Sequence, residues 1–256
     1  MEDVAFKQRD RADSFGTDAP QYERSRPDYP SGLIDDLLID DVHLAVDVGS
    51  GTGIVTGLLA DRGCDVVGVE ADARMASVAV RKGHKVEVAR FEEWDSKGRT
   101  FDLLTSGQAW HWVDPAVGAQ KAARVLRPRA RFAVFWNGLT HPPDVAARFE
   151  QIYSHLAPHL LVDSVALGTA QPSGNRDRAA FDATGAFSEI ETRTYEWQRE
   201  YTTESWLDEL PTHSGHRILS PTVLSQILEE VGAMLDSRGG ELLVDYRTAA
   251  LFGRRR

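Results

Sequence analysis

The sequence predicts an α/β fold: a mostly parallel sheet covered by helices on both faces. Three observations carry this expectation. From residue 42 to 136 short apolar runs alternate with helical patterns, as parallel strands joined by crossover helices require. One junction, AVDVGSGTG at 45–53, takes an apolar strand through an aspartate into three alternate glycines and then into a helix. Beyond 137, the segments 187–199 and 241–252 alternate apolar and polar residues as antiparallel strands do.

In order, the parallel strands are read at 44–48, 64–70, 85–89, 101–106 and 130–136, and the late pair makes seven. Helices fall near 54–62, 72–82 and 115–126. The last carries apolar Val117, Ala122, Val125 and Leu126 and is expected to stop at Pro128. After HPPD a helix runs from Val145 to His155, and the polar stretch QPSGNRDR at 171–178 reads as a loop. A late helix has clear signals: Ser220 as N-cap, Pro221 in the first turn, and Val223, Leu224, Ile227, Leu228, Val231, Met234 and Leu235 on one face. The organisation is an N-terminal flap and helix at 1–40, a ligand-binding core at 41–137, and the rest of the domain at 138–256, with a helical lid inserted at about 200–237.

With 256 residues the chain can bury one full core. Its 29 basic and 39 acidic residues give a net charge of −10, which would repel nucleic acid and anionic membranes. Arg254–Arg256 read as a solvated tail. The single cysteine, Cys64, excludes an internal disulfide and reads as core. His155 and His159 have helical spacing, but Pro158 divides them and no third ligand follows, so no metal is expected. No apolar run reaches membrane-spanning length, and MEDVAFKQRDRADSF lacks the apolar block of a signal peptide. The expected setting is cytoplasmic, with a small molecule as partner and a monomer or homodimer as the working unit.

Ligands on such a sheet bind at the carboxyl ends of the strands. That rule collects the glycine turn, Glu70, the segment after Ala89 and the segment after Ser106. Gly49, Gly51 and Gly53 can take backbone angles closed to other residues and bring amide N–H groups close to a ligand. Asp47 would repel a pyrophosphate, whereas S-adenosylmethionine carries an ammonium and a sulfonium and has no phosphate. Glu70 can accept bonds from both ribose hydroxyls. An NAD site shares the strand, the glycines and the acidic residue about 20 positions on; its third glycine, however, would stand at 54, where this chain has isoleucine. Ala71 and Met75 after the second strand, and Ser106 and Gln108 at the end of the fourth, count as further cofactor contacts at this edge.

AVDVGSGTG, the acidic end of VGVEAD and FDLLTSGQAWHWVDP at 101–115 together resemble the class I S-adenosylmethionine-dependent methyltransferases, over most of the chain. Within that superfamily the sequence is most similar to the small-molecule, trans-aconitate methyltransferase-like (methyltransferase type 11) group, which shares the N-terminal Y-x-x-x-RP-x-YP, here Tyr22 to Pro30. The resemblance implies a Rossmann-like seven-stranded sheet, S-adenosyl-L-methionine as methyl donor and S-adenosyl-L-homocysteine as product. It places an Ala-Glu pair after the third strand, here Phe91 and Glu92, with Glu92 toward the adenine amino group; Glu93 or Asp95 substitutes if the register slips. It also puts Tyr22 and Arg26 in a flap over the cofactor, although Arg26 also reads as a surface ion pair. The chain departs from the group in RPRA at 127–130, where RPGG is usual and a turn before the fifth strand is expected, and in Lys121, where glutamate is frequent.

Methyl transfer from a sulfonium needs an aligned nucleophile, a dry site and, for some acceptors, a proton acceptor. His111 in QAWHW is the best placed catalytic candidate, because an imidazole ordinarily titrates near 6.5 and suits a general base. It reads equally well as a residue that packs or that bonds the cofactor's carboxylate end. Trp110 and Trp112 are candidates for an apolar wall around the methyl group, at most one of them facing the pocket. In the lid, PTHSGHR supplies Thr212, His213, Ser214, His216 and Arg217. The resemblance puts this segment near the substrate, with Thr212, His216 and Arg217 as contacts; the alternative is a solvated loop before the next helix. The expected reaction is methyl transfer to an oxygen, or else a nitrogen, of a small molecule, with a carboxylate or hydroxyl acceptor favoured by the arginines and histidines. The rival readings are a cofactor-binding protein without methyl transfer, an NAD-linked oxidoreductase and a cyclopropane-type lipid enzyme.

Overall fold

The computed structural model describes residues 15–39, 41–162, 164–168 and 175–256. The readings made on residues 1–14 and on 171–174 lie outside these, and 175–178, read as the rest of a loop, begin a helix instead. In chain order the elements are α1 (Ala19–Ser25), α2 (Ser31–Leu37), β1 (Leu44–Val48), α3 (Ile54–Ala60), β2 (Asp65–Glu70), α4 (Ala73–Arg81), β3 (Lys85–Val88) and β4 (Phe101–Gly107). There follow α5 (Pro115–Val125), β5 (Leu126–Thr140), α6 (Pro143–Leu156), α7 (Asn175–Ala183), β6 (Phe187–Thr202), α8 (Thr203–Glu209), α9 (Ser214–Arg217), α10 (Pro221–Asp236) and β7 (Glu241–Arg255).

The seven strands form one sheet in the order β3-β2-β1-β4-β5-β7-β6. Pairing is parallel from β3 to β5, and β7 runs antiparallel to both β5 and β6. The fold is therefore the Rossmann-like, mostly parallel sheet expected. The strand order reverses between β1 and β4, which opens a crevice at their carboxyl ends. Gly49 and Gly107 stand there.

The sheet is buried on both faces because alternate residues of each central strand supply separate cores. Phe132, Val134 and Trp136 of β5 join Phe101, Trp110 and Phe181 on one side. Ala133 and Phe135 join Leu33, Ile34, Leu37, Val55 and Leu59 on the other. A third core lies beneath the elements inserted between β6 and β7: Trp206, Ile227, Val231 and Leu235 pack with Val145, Phe149 and Tyr153. Ser220 caps α10 as expected, its side chain accepting from the Val223 amide. This insertion spans residues 203–236.

Several local readings need correction. Val117 is exposed; α5 turns Gly118, Ala119, Ala122 and Val125 inward instead, because Trp110 lies against Gly118 and leaves room for nothing larger. α3 ends at Ala60 rather than 62, and Cys64, though buried, precedes β2. RPRA does not form a turn ahead of the fifth strand. The helix gives way to β5 at Leu126, and Arg127–Ala130 make an irregular start to that strand, with a register shift against β4 between Phe101 and Leu103. Arg129 holds φ at +70°, a conformation that suits the glycine usual in the resembled group. His155 lies in α6 and His159 in the 3₁₀ turn Pro158–Leu161, so the two do not share a helix.

Candidate active site

The glycine turn is positioned by β1, which ends at Val48, and by β2 beside it. Gly49, Gly51 and Gly53 all hold positive φ, as an L side chain rarely does. Their amides, however, are engaged within the turn, contrary to the expectation that they face a ligand. Gly49 N–H donates to the Val69 carbonyl at 2.8 Å, Gly53 N–H to the Ser50 carbonyl at 2.8 Å, and Gly51 N–H to Glu70 Oε2 at 2.8 Å. The other carboxylate oxygen, Oε1, accepts from the Asp72 amide at 2.8 Å. Glu70 is thus clamped by two backbone donors at the mouth of the crevice. Burial raises its pKa, and those backbone bonds oppose the shift. A turn whose glycine amides are already bonded suits a ligand without phosphate better than a dinucleotide.

Asp47 lies under the turn, only 1% exposed. Thr56 Oγ1 donates to its Oδ2 at 2.8 Å and Thr105 Oγ1 to its Oδ1 at 3.2 Å, the latter across the β1–β4 pair. It braces the turn and does not reach toward a cofactor ammonium. Burial pushes its pKa up from 3.8 to about 7, so its charge near neutrality is partial. Repulsion of a pyrophosphate by Asp47 is correspondingly weaker than the sequence suggests. The raised value also fixes a pH dependence. Because the folded state favours protonated Asp47, its stabilising contribution is complete below pH 3.8 and is lost as pH rises through about 7. Relative to Asp47→Asn, which does not ionise, the wild type should lose up to about 4 kcal/mol of unfolding free energy between pH 4 and 8. Denaturant titrations showing parallel pH profiles for the two proteins would contradict this.

At the end of β4, Ser106 Oγ donates to the Val48 carbonyl at 2.8 Å and ties the two strands together, so its side chain is structural. Gln108, at φ +55°, donates from Nε2 to the Asn137 carbonyl at 3.2 Å. Trp110 is fully buried and stacks on Phe181 with ring centroids 5.4 Å apart, which places it in the core rather than in a substrate wall. Trp112 is half-buried against His111. His111 receives a hydrogen bond on Nδ1 from Trp136 Nε1 at 3.2 Å. A neutral His111 in this arrangement carries its proton on Nε2. In that form its Nδ1 lone pair faces Trp136.

α1 and the 203–236 insertion meet beside this edge. α1 packs against α4 and α8, and Tyr22 lies with Met75 and Val78. A Cβ at Gly51 would stand 3.6 Å from Met75 Cε, which links the glycine turn to the flap. The Tyr29 hydroxyl closes on Gly107, and Asn137 Nδ2 donates to the Asp28 carbonyl at 3.4 Å. Arg26 lies 4.9 Å over the Tyr22 ring and reaches into the lid, with Nη2 3.3 Å from the Thr212 carbonyl and Nη1 3.3 Å from His213 Nδ1. Glu209 is buried 3.3 Å from His213 Nε2. Burial acts to raise Glu209, but the bond to His213 and the charges of His213 and Arg26 hold its pKa below the ordinary value; burial and Arg26 lower His213. Glu209 is thereby favoured in its ionised form, with the Arg26 guanidinium within electrostatic reach.

These arrangements have counterparts among known proteins. Residues 46–134 match the family described as a methyltransferase domain. Over these residues the chain is similar to a methyltransferase domain. A methyltransferase of uncharacterized activity from Mycobacterium tuberculosis is 41% identical over 137 residues, 52% of this chain and 56% of that protein. The chain thus spans about half the length of the curated relatives it matches. A candidate type II methyltransferase from Anaeromyxobacter dehalogenans shares the fold at a TM-score of 0.66 and 24% identity, covering 90% of this chain and 97% of that one. Phosphoethanolamine N-methyltransferase 2 of Haemonchus contortus, solved with phosphomonomethylethanolamine and S-adenosylhomocysteine, shares it at a TM-score of 0.51 and 16% identity, covering 92% of this chain and 57% of that one.

Within residues 46–134, Gly49, Gly51, Glu70, Ala71, Gln108 and His111 stand together at one sheet edge, and Met75 lies behind them. Phe91 is buried against Trp94 and Trp110, so only its backbone fits a ligand contact. Glu92 Oε1 accepts from the Asp114 amide at 3.0 Å, and Lys121 Nζ donates to the carbonyls of Glu92 and Trp94. Lys121 thereby clamps the loop after β3, a use for its charge that glutamate would lack. Two expected lid contacts are structural. Thr212 Oγ1 donates to the Glu209 carbonyl at 2.6 Å, and His216 pairs through Nε2 with the Tyr153 hydroxyl at 2.6 Å, its pKa pushed down by burial to about 3. The sequence reading missed Glu209, Tyr29 and Asn137. Tyr29 lay in the quoted YERSRPDYP; Glu209 had no signal, since one glutamate on an amphipathic helix ordinarily faces water.

Proposed function

We propose that this protein transfers a methyl group from S-adenosylmethionine to an oxygen, or else a nitrogen, of a small molecule held between the β1–β4 crevice and the lid. The observation that carries this reading is the clamped Glu70 beside a turn whose three glycine amides are already bonded. The solved neighbour holding S-adenosylhomocysteine supports it. When bound, the donor supplies a sulfonium-activated methyl group. Glu70 is placed to accept bonds from the ribose hydroxyls, the loop Phe91–Glu92 to border the adenine, and the flap of Tyr22, Arg26 and Tyr29 to exclude water. His111 donates from Nε2 and orients; it does not remove a proton. The acceptor is a small metabolite taken up by a monomer or homodimer, without nucleic acid.

Saturating S-adenosylhomocysteine should raise the melting temperature, since a ligand at 100 times its Kd stabilises by about 2.7 kcal/mol. Equal stabilisation by NAD, or none by either, would overturn the assignment. With a methylated acceptor identified, His111→Gln should keep activity within about tenfold, because its amide still donates, whereas His111→Leu should lose roughly 10- to 100-fold. An acidic limb in the kcat profile that disappears in His111→Gln would restore the general base.

A further inference from the structure

The buried polar groups beneath the flap do not balance. Glu209 lies within electrostatic reach of Arg26, whose Nη atoms face Thr212 and His213. Arg217, at the end of α9, adds a second guanidinium within electrostatic reach of the first. Its Nε and Nη2 are shielded from solvent, and neither has a hydrogen-bond partner among the described residues. These two N–H groups share one edge of the guanidinium, the edge that fits the two oxygens of a carboxylate.

This same chain shows that edge in use. Arg24 donates from Nε to Asp208 Oδ2 at 2.8 Å and from Nη2 to Oδ1 at 2.7 Å. Arg217 has the donors without the acid. Asp18, the carboxylate whose charge reaches Arg217, accepts from the Gln21 amide at 2.9 Å to cap α1 and makes no hydrogen bond to the guanidinium edge. Burial, and then the charge of Arg26, lower the pKa of Arg217 against the opposing charge of Asp18, so the pair of guanidiniums leaves a surplus of positive charge. The surplus is near the cofactor edge, because Tyr22, one of its electrostatic neighbours, packs with Met75, and Met75 borders Gly51.

We infer that the Nε–Nη2 edge of Arg217 is a carboxylate clamp of the reaction cleft, an assignment that rests on the methyl-transfer reading above. Two sources offer that chemistry: the amino-acid end of the methyl donor and a carboxylate on the acceptor. Calorimetry on the full chain separates them, using the wild type, Arg217→Gln and Arg217→Lys. If the donor supplies the carboxylate, Arg217→Gln should bind S-adenosylhomocysteine at least tenfold more weakly, Arg217→Lys should be intermediate, and 5′-methylthioadenosine, which lacks the amino acid, should bind all three alike. If the acceptor supplies it, S-adenosylhomocysteine binding should be unchanged, while succinate added to the saturated complex should raise the melting temperature of the wild type and not of Arg217→Gln. The variant itself should melt no lower than the wild type, because it removes a buried unpaired charge. Unchanged binding of both probes, or a lower melting temperature of the free variant, would overturn the clamp. Failure of the wild type to bind S-adenosylhomocysteine would instead count against the methyl-donor reading, and the clamp would then stand or fall on succinate alone.

Discussion

Gly49→Ala should be the most damaging single-methyl change in the molecule. At φ +68° a Cβ is strained, and here it would overlap the Cβ of Ala109, two residues beyond β4. The left-handed conformation alone costs about 1–2 kcal/mol, and the overlap adds about 1–3 kcal/mol of overpacking because both atoms sit on backbone that cannot swing away. We expect a stability loss of about 3 kcal/mol in denaturant titration and at least a 100-fold loss of S-adenosylhomocysteine affinity. Gly51→Ala has the same handicap of φ, at +56°, but its Cβ would meet Met75 Cε at an ordinary 3.6 Å, so its cost should stay near 1 kcal/mol. The double variant Gly49→Ala/Ala109→Gly removes the overlap and should recover most of the difference. Equal effects of Gly49→Ala and Gly51→Ala would show that the approach of β1 to Ala109 does not matter.

Glu70→Ala should abolish cofactor binding while leaving the fold intact. The carboxylate holds the Gly51 and Asp72 amides, so its loss both loosens the turn and removes the proposed ribose acceptor. Hydrogen bonds to a charged group contribute about 1.5–3 kcal/mol each, and losing two would weaken binding roughly 100-fold or more. Glu70→Gln, which keeps one acceptor oxygen, should fall between the wild type and Glu70→Ala. Calorimetry with S-adenosylhomocysteine measures this directly, and an unchanged Kd would place the cofactor elsewhere.

The parts of this site that sequence could reveal are those whose residue types are locally compelled. Gly49, Gly51 and Gly53 are demanded by positive φ, Glu70 by its place after an apolar strand, and Ser220 by the cap of a strongly periodic helix. Asp47 shows where such reasoning fails. Its charge was read as facing a ligand, but Thr56 nine residues on and Thr105 on another strand turn it inward, and burial then moves its pKa. Trp110 failed for the same reason. A tryptophan after a ligand-facing strand suits a pocket wall or a core, and only Phe181, 71 positions away, decided for the core.

The amino-acid sequence by itself determined the alternation of strands and helices, the glycine turn and the acidic residue that closes it, because these follow from steric limits and periodicities acting within a few residues. Only the tertiary structure decided which polar groups face the cleft. Trp136 chooses the proton-bearing nitrogen of His111, Glu209 lies within electrostatic reach of Arg26, and Nε and Nη2 of Arg217 have no hydrogen-bond partner among the described residues. Each of those outcomes depends on burial and on partners brought from distant strands and from the lid, and the charge on a buried group is set by what surrounds it in space.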